Sequence, residues 1–307
     1  MVRKPIACRL RRRPATPAGV GACLILLLLA APQYAVAQED CFDNAFCLEG
    51  VRNQDGQVGI RITNLLPGSI TMRLDMELEN MATSHPLPLV LTIPGAHTVQ
   101  PLRLEIEDEY ERWGYRFDAQ WIMGTLGPRH DDLADYALPF ANGDVRLVGQ
   151  GYNGRTTHQG KYALDFDMPE GTPVHAAREG IVIETEDRFR IGGPDQSLKT
   201  RANFVKVQHA DGTIGNYVHL RHRGVRVRVG DSVRAGALLG LSGNTGFTTG
   251  PHLHFEVYGI GRDLQRRTIP VRFLTTEGRS ELREGQSYAH PALREARQSP
   301  TRRGRGW

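Results

Sequence analysis

After residue 37 the chain has no apolar run approaching the roughly 17 to 25 residues that a bilayer-spanning helix requires, so no stable membrane span is expected in the mature product. Cysteine is scarce: of four in the chain, Cys8 and Cys23 fall in the first 37 residues, leaving Cys41 and Cys47. Two cysteines cannot build a disulfide scaffold, and no further Cys or His lies nearby to complete a four-ligand structural zinc site. One small disulfide loop is the expectation. Lysine is missing altogether from residues 224–257, which excludes a lipoyl-type carrier, whose modified lysine would sit in one of the tight turns there. Nor is there an excess of positive charge to recruit nucleic acid. The 38 basic and 34 acidic residues become 32 and 34 once the six basic residues of the first 37 are set aside, a net charge of −2.

Those first 37 residues carry Arg3, Lys4, Arg9, Arg11, Arg12 and Arg13, then an apolar run from Val20 to Ala31, then Ala35-Val36-Ala37. A basic start, a short apolar centre and an A-x-A site are the order of a secretory signal peptide. The protein is therefore expected to be exported, to a periplasm or beyond, where the Cys41 and Cys47 pair can be oxidised.

From Val58 to Gly124 the sequence has period two. Ile70, Met72, Leu74, Met76 and Leu78 alternate with Thr71, Arg73, Asp75 and Glu77, and shorter runs follow at Leu87 to Ile93, Leu102 to Ile106 and Tyr115 to Met123. Such spacing predicts half-buried strands, and several of them between Pro-Gly turns predict a small accessory β-sandwich over residues 38–125. It holds no cluster of His, Cys and carboxylates; His85 and His97 are isolated. Residues 126–144, with Pro128, Pro139 and Gly143, read as a connector. A second, glycine-rich domain is expected over 145–274, where hairpin patterns such as Val225, Val227, Val229 and the Gly230-Asp231 turn recur and no amphipathic helix appears. From Thr275 to Trp307 the chain is polar and arginine-rich and reads as a mobile tail.

The chemistry concentrates in the second domain. In Gly250 to Val257, His252 and His254 stand one residue apart on a strand-like run, so both emerge on one face while Phe255 and Val257 pack the other. His158 and Asp165 lie in THQGKYALDF and His219 in NYVHLRH. A hydrolytic zinc site needs three neutral or anionic ligands and one open position for water. Two histidines and a carboxylate meet that need, and two further histidines can act on the water.

Residues 150–257 resemble the lysostaphin-type zinc endopeptidases that cut peptide cross-bridges in bacterial peptidoglycan. The matching pieces are His158 to Asp165, GTPVHAAREG from Gly171 to Gly180, Tyr217 to Leu220, and GNTGFTTGPHLHFEV from Gly243 to Val257. The resemblance implies one Zn2+ per chain held by His158, Asp165 and His254, with His219 and His252 as the catalytic histidines. It implies hydrolysis of stem-peptide cross-links through a metal-activated water. One departure is the spacing, since six residues separate His158 from Asp165 where the commonest form has three; a subgroup reading Y-A-x-D-F is similar here. Asp167 is the rival ligand, and His175, His209 and His222 are weaker candidates. The insertion Asp187 to Arg201 is expected to wall a substrate groove. The fold implied is all-β, an N-terminal sandwich followed by a compact β-sheet or barrel-sandwich-like peptidase domain. The competing reading is a catalytically silent peptidoglycan-binding regulator of cell-wall amidases, which the five filled positions disfavour.

Overall fold

Alternation of apolar and polar residues is carried into strands along the chain, as a computed structural model describing residues 7–9 and 40–291 shows. The only helical element among the described residues is one short 3-10 turn, Gln196–Leu198, capped by the Asp195 side chain. No helix among them is long and apolar enough to cross a membrane. The described residues divide into two units, those up to 128 with 260–266, and those of 129–259 with the described residues from 267 onward.

In the first unit, a sheet ordered Asp40–Phe42, Phe46–Arg52, Val58–Asn64, Thr98–Ile106, Met81–Thr83 faces a second built on Gly114–Met123, Ile70–Glu79 and Leu89–Ile93. Phe46, Leu48, Ile60, Ile62, Leu102 and Leu104 from the first interleave with Ile70, Met72, Leu74, Phe117, Ala119 and Trp121 from the second, all buried. This is the expected sandwich. Cys41 and Cys47 pair across the hairpin that opens it and form the expected disulfide. Of the segment read as a signal peptide, only Ala7–Arg9 is described, as an edge strand on Gly114–Met123; its apolar run and A-x-A site lie outside the described residues.

The second unit centres on an 11-stranded sheet whose main path runs Ser232–Val233, Gly180–Glu186, Asn203–Gln208, Ile214–Val225, His252–Ile260, Ala163–Asp167, Val145–Gln150, Ser287–Ala289. Leu253, Phe255 and Val257 point into its core with Leu164, Phe166 and Tyr217. Period two then forces His252, His254, Asp165 and Asp167 onto the opposite face. The antiparallel register sets Asp165 directly across from His254, and Asp167 across from His252.

Two boundaries differ from those read in the sequence. The expected connector is built into the second unit: Tyr136, Leu138 and Phe140 are fully buried in its core, and Tyr136–Ala137 pairs in parallel with Phe273–Thr275. Three apolar side chains at alternate positions were masked there by the intervening Pro139. The expected tail is likewise ordered in its first half. Ser287–Ala289 pairs with Val145–Gln150, and Leu282, Tyr288 and His290 are buried. Strands this short leave almost no periodicity to read. Arg302, Arg303 and Arg305 lie outside the described residues.

Candidate active site

Three strands and one turn deliver the side chains expected at the site. His254 and Asp165 come from neighbouring strands in register, so their facing atoms, Nδ1 and Oδ1, lie 2.9 Å apart. His158 arrives from the turn after Val145–Gln150, and its Nε2 stands 3.3 Å from both Asp165 Oδ1 and His254 Nδ1. Among the described residues these are the group of potential metal-ligating atoms that converge, all within 4.8 Å of one another. Asp167, one pair further along the ladder, is exposed and outside the group.

Hydrogen bonds fix which ring nitrogen carries a proton, because a carbonyl can only accept. His158 donates Nδ1–H to the Gly151 carbonyl at 3.0 Å, which turns Nε2 toward the cluster. On His254 the far nitrogen, Nε2, lies 3.7 Å from Glu256 Oε2, and Glu256 is itself held by Asn216 Nδ2 at 3.0 Å. Carboxylates behind metal-ligating imidazoles are a recurrent way of orienting them.

The electrostatics of the cluster favour positive charge. Burial works against ionising Asp165, yet the facing imidazoles of His158 and His254 hold its carboxyl well below the usual carboxylate range. Burial also opposes charge on His254, but its bond to Asp165 and the nearby Glu256 prevail and hold its pKa up at about 10. Two carboxylates thus draw a cation to a spot where three nitrogen and oxygen donors meet.

His219 and His252 sit beside this cluster, their ring centroids 4.6 Å apart, with His219 6.0 Å from His254. His219 gets there through an irregularity. It lies between Val218 and Leu220 at a shift of register in the Ile214–Val225 strand, with φ of +66°. A bulge of this kind re-aims a side chain at a backbone cost of about 1 to 3 kcal/mol. Its Nδ1–H donates to the Thr245 carbonyl at 2.6 Å, and His252 Nδ1–H to the Gly250 carbonyl at 2.8 Å, so each ring is held by the backbone through Nδ1. Burial, then the neighbouring His252 and His254, push the His219 pKa down to about 3 and keep it neutral. Thr248 Oγ1 also approaches His252 Nδ1, at 3.3 Å.

The insertion after Asp187 is tied to these supports. Gly192–Gly193 pairs in parallel with Gly246–Phe247, and Gly246 and Thr248 donate their amides to the Ile191 and Gly193 carbonyls. The three weaker candidate histidines lie elsewhere. His175 Nδ1 meets the Gly236 carbonyl, and His209 is buried against Tyr136 with Nδ1 on the Glu179 carbonyl. His222 also lies outside the cluster. Sequence reading missed Glu256, Thr245 and Gln150, which touch the candidate ligands or catalytic histidines. Glu256 carried a signal, since period two sets it on the face of His252 and His254.

Comparison with known proteins bears on what such an arrangement is. Residues 159–266 match Peptidase family M23, a match that begins one residue after His158. The peptidoglycan DD-endopeptidase ShyA of Vibrio cholerae is 34% identical over 118 residues, covering 38% of this chain and 25% of that protein. Lysostaphin of Staphylococcus simulans is 38% identical over 117 residues, covering 38% of this chain and 22% of its own. The chain thus spans about a quarter of the length of these curated relatives. A solved structure of lysostaphin from Staphylococcus simulans overlaps 37% of this chain and 42% of its own at 35% identity, with a TM-score of 0.30. With the matched segment carrying His219, Asp165, His252 and His254 on its strands, residues 159–266 are a metallopeptidase domain of peptidase family M23.

Proposed function

We propose that the chain is an exported, zinc-dependent endopeptidase that hydrolyses peptide cross-links of bacterial peptidoglycan. The observation that carries this reading is the convergence of His158 Nε2, Asp165 Oδ1 and His254 Nδ1, with separations of 3.3, 3.3 and 2.9 Å. Ligands about 2.0 to 2.1 Å from a tetrahedral Zn2+ stand about 3.3 Å from one another, so the donor set fits zinc in both chemistry and spacing. Three protein ligands leave a fourth position for water, the pattern of hydrolytic sites. A Zn2+ held there supplies a Lewis acid that makes water nucleophilic near neutral pH and polarises a carbonyl.

The chain's own residues do the rest. His219 and His252, each tied to a backbone carbonyl through Nδ1, offer Nε2 as a proton acceptor beside the ligands. One takes the proton of the attacking water and returns it to the leaving amine. The other, once protonated, donates to the oxygen on which charge develops. The backbone carbonyls of Thr245 and Gly250 hold each ring in the required tautomer. No serine or cysteine nucleophile is used.

Peptidoglycan as substrate is supported by the named activities of the relatives, which include a DD-endopeptidase and, in Staphylococcus capitis, the glycyl-glycine endopeptidase ALE-1. Export is supported by the order of basic, apolar and small residues in positions 1–37 and by the Cys41–Cys47 pair. With export and a single disulfide, D-alanyl to diaminopimelate cross-links in a periplasm are the target proposed.

The test is metal content together with fragment release from purified sacculi. His254→Ala is expected to lose zinc and activity, and His252→Ala to keep zinc and lose activity. Chelation abolishes cleavage by the wild type and added zinc restores it. An active wild type that holds no metal overturns the mechanism.

A further inference from the structure

Gln150 closes the Val145–Gln150 strand and lies nine positions before the first residue matched to the family. A shift of register between Val148 and Gln150 sets it directly across from Asp165. Its side-chain amide is saturated. Oε1 accepts from the backbone amides of Thr156 at 3.1 Å and Thr157 at 3.0 Å. Nε2 donates to Asp165 Oδ2 at 2.9 Å and to Thr157 Oγ1 at 2.7 Å. Backbone amides can only donate, so the orientation of this carboxamide follows from its partners.

Each bond bears on a candidate ligand. Asp165 turns Oδ1 toward His158 and His254, and rotation of the carboxyl about its last bond would undo that. Gln150 holds the other oxygen and blocks the rotation. The same amide fastens Thr156 and Thr157, the two residues immediately before His158. The next residue, Gly151, offers the carbonyl that accepts His158 Nδ1–H, and its own amide donates to Glu284 Oε2 at 3.1 Å. The turn is wrapped so closely around Gln150 that a Cβ on Gly154 would stand 2.5 Å from Gln150 Cγ.

Resting on the metal-site reading above, we infer that Gln150 is a positioning residue of the metal centre, its one carboxamide setting the carboxylate of Asp165 and the approach of His158 together. No substitute reproduces this. Methionine matches the length and offers no bonds; asparagine offers the bonds and is one methylene too short to reach both sides.

The experiment measures zinc affinity of the full chain by competition with a chromophoric chelator, for wild type, Q150M, Q150N and H254A. Metal-free urea unfolding and the absorption spectrum of the cobalt-substituted proteins are recorded alongside. Loss of a group that orients ligands lowers metal affinity by about 10- to 100-fold. That fall is expected in Q150M and Q150N, with altered cobalt ligand-field bands and with the urea midpoint of the metal-free protein unchanged. At saturating zinc, KM for a cross-linked muropeptide stays at the wild-type value. If Q150M does not fold without metal, Q150N decides. Zinc affinity within about twofold of wild type in the deciding variant, against the 10- to 100-fold expected, overturns the role of Gln150, as does a fall in affinity matched by loss of metal-free stability in both variants. H254A separates the two readings. If it binds zinc as the wild type does, the site itself is wrongly placed; if it loses zinc while Q150M and Q150N keep it, only the positioning role fails.

Discussion

Gly192 and Gly193 are neighbours in the insertion, yet a methyl group on each would meet different surroundings. A Cβ on Gly192 would stand 1.9 Å from the Asn244 carbonyl oxygen, 2.6 Å from its carbon and 2.8 Å from Thr248 Cγ2. A Cβ on Gly193 would meet only Leu198 Cδ1, at 3.7 Å, an ordinary contact. Restoring van der Waals distance in Gly192→Ala requires one of the paired segments to move by about 1.5 Å. The segment opposite holds the Thr245 carbonyl, which fixes His219, and the Thr248 hydroxyl, which approaches His252. Misplacing reacting groups by about 1 Å costs on the order of 100-fold in rate, or about 2.7 kcal/mol of barrier. The metal ligands lie on other strands and in the turn after Gly151, so zinc stays. Gly192→Ala is therefore expected to lower kcat about 100-fold with full zinc content, and Gly193→Ala to behave as wild type. The assay is turnover of a purified cross-linked muropeptide with zinc measured on the same samples. A Gly192→Ala protein with wild-type kcat would mean that the insertion simply lifts away, and would refute the bracing of the two histidines; equal damage from Gly193→Ala would refute it too.

Two stability predictions use the same unit. His209 is 3% exposed, and burial, only partly offset by its bond to the Glu179 carbonyl, pushes its pKa down to about 4. Against an unfolded value near 6.5 the unfolded chain binds more protons between pH 6.5 and 4, so this stability is full above the unfolded pKa and falls as pH drops, by about 3 kcal/mol at most. Urea midpoints at neutral and mildly acid pH should converge in His209→Gln relative to wild type; parallel pH dependences in the two proteins would count against it. Phe255, 1% exposed and 5.0 Å from the Tyr217 ring, backs the strand that carries His252 and His254. Phe255→Ala should cost about 3 to 5 kcal/mol of unfolding free energy, and a loss below 1 kcal/mol in urea titration would show that the core there is not close-packed.

What could be read from the sequence was local. Period two told which face His252 and His254 share, because the strand carries Leu253, Phe255 and Val257 into the core and leaves the alternate positions out. The same rule foretold the strands of the sandwich. It said nothing of contacts made across long separations: Gln150 reaches Asp165 over 15 residues, and Glu284 reaches Gly151 over 133. No pattern near Glu284 marks it as a support of the metal turn, and its polar, glycine-containing surroundings read as tail. His219 shows a second kind of blindness. Regular alternation would pair it with the faces of Tyr217 and Arg221, but the shift of register and the positive φ rotate its ring toward His252. A non-glycine residue holds such a backbone only where its surroundings enforce it, and here the enforcing partner is the Thr245 carbonyl, 26 positions away. The residues that do the chemistry were therefore legible as types on strands, while the groups that aim them belong to the folded chain.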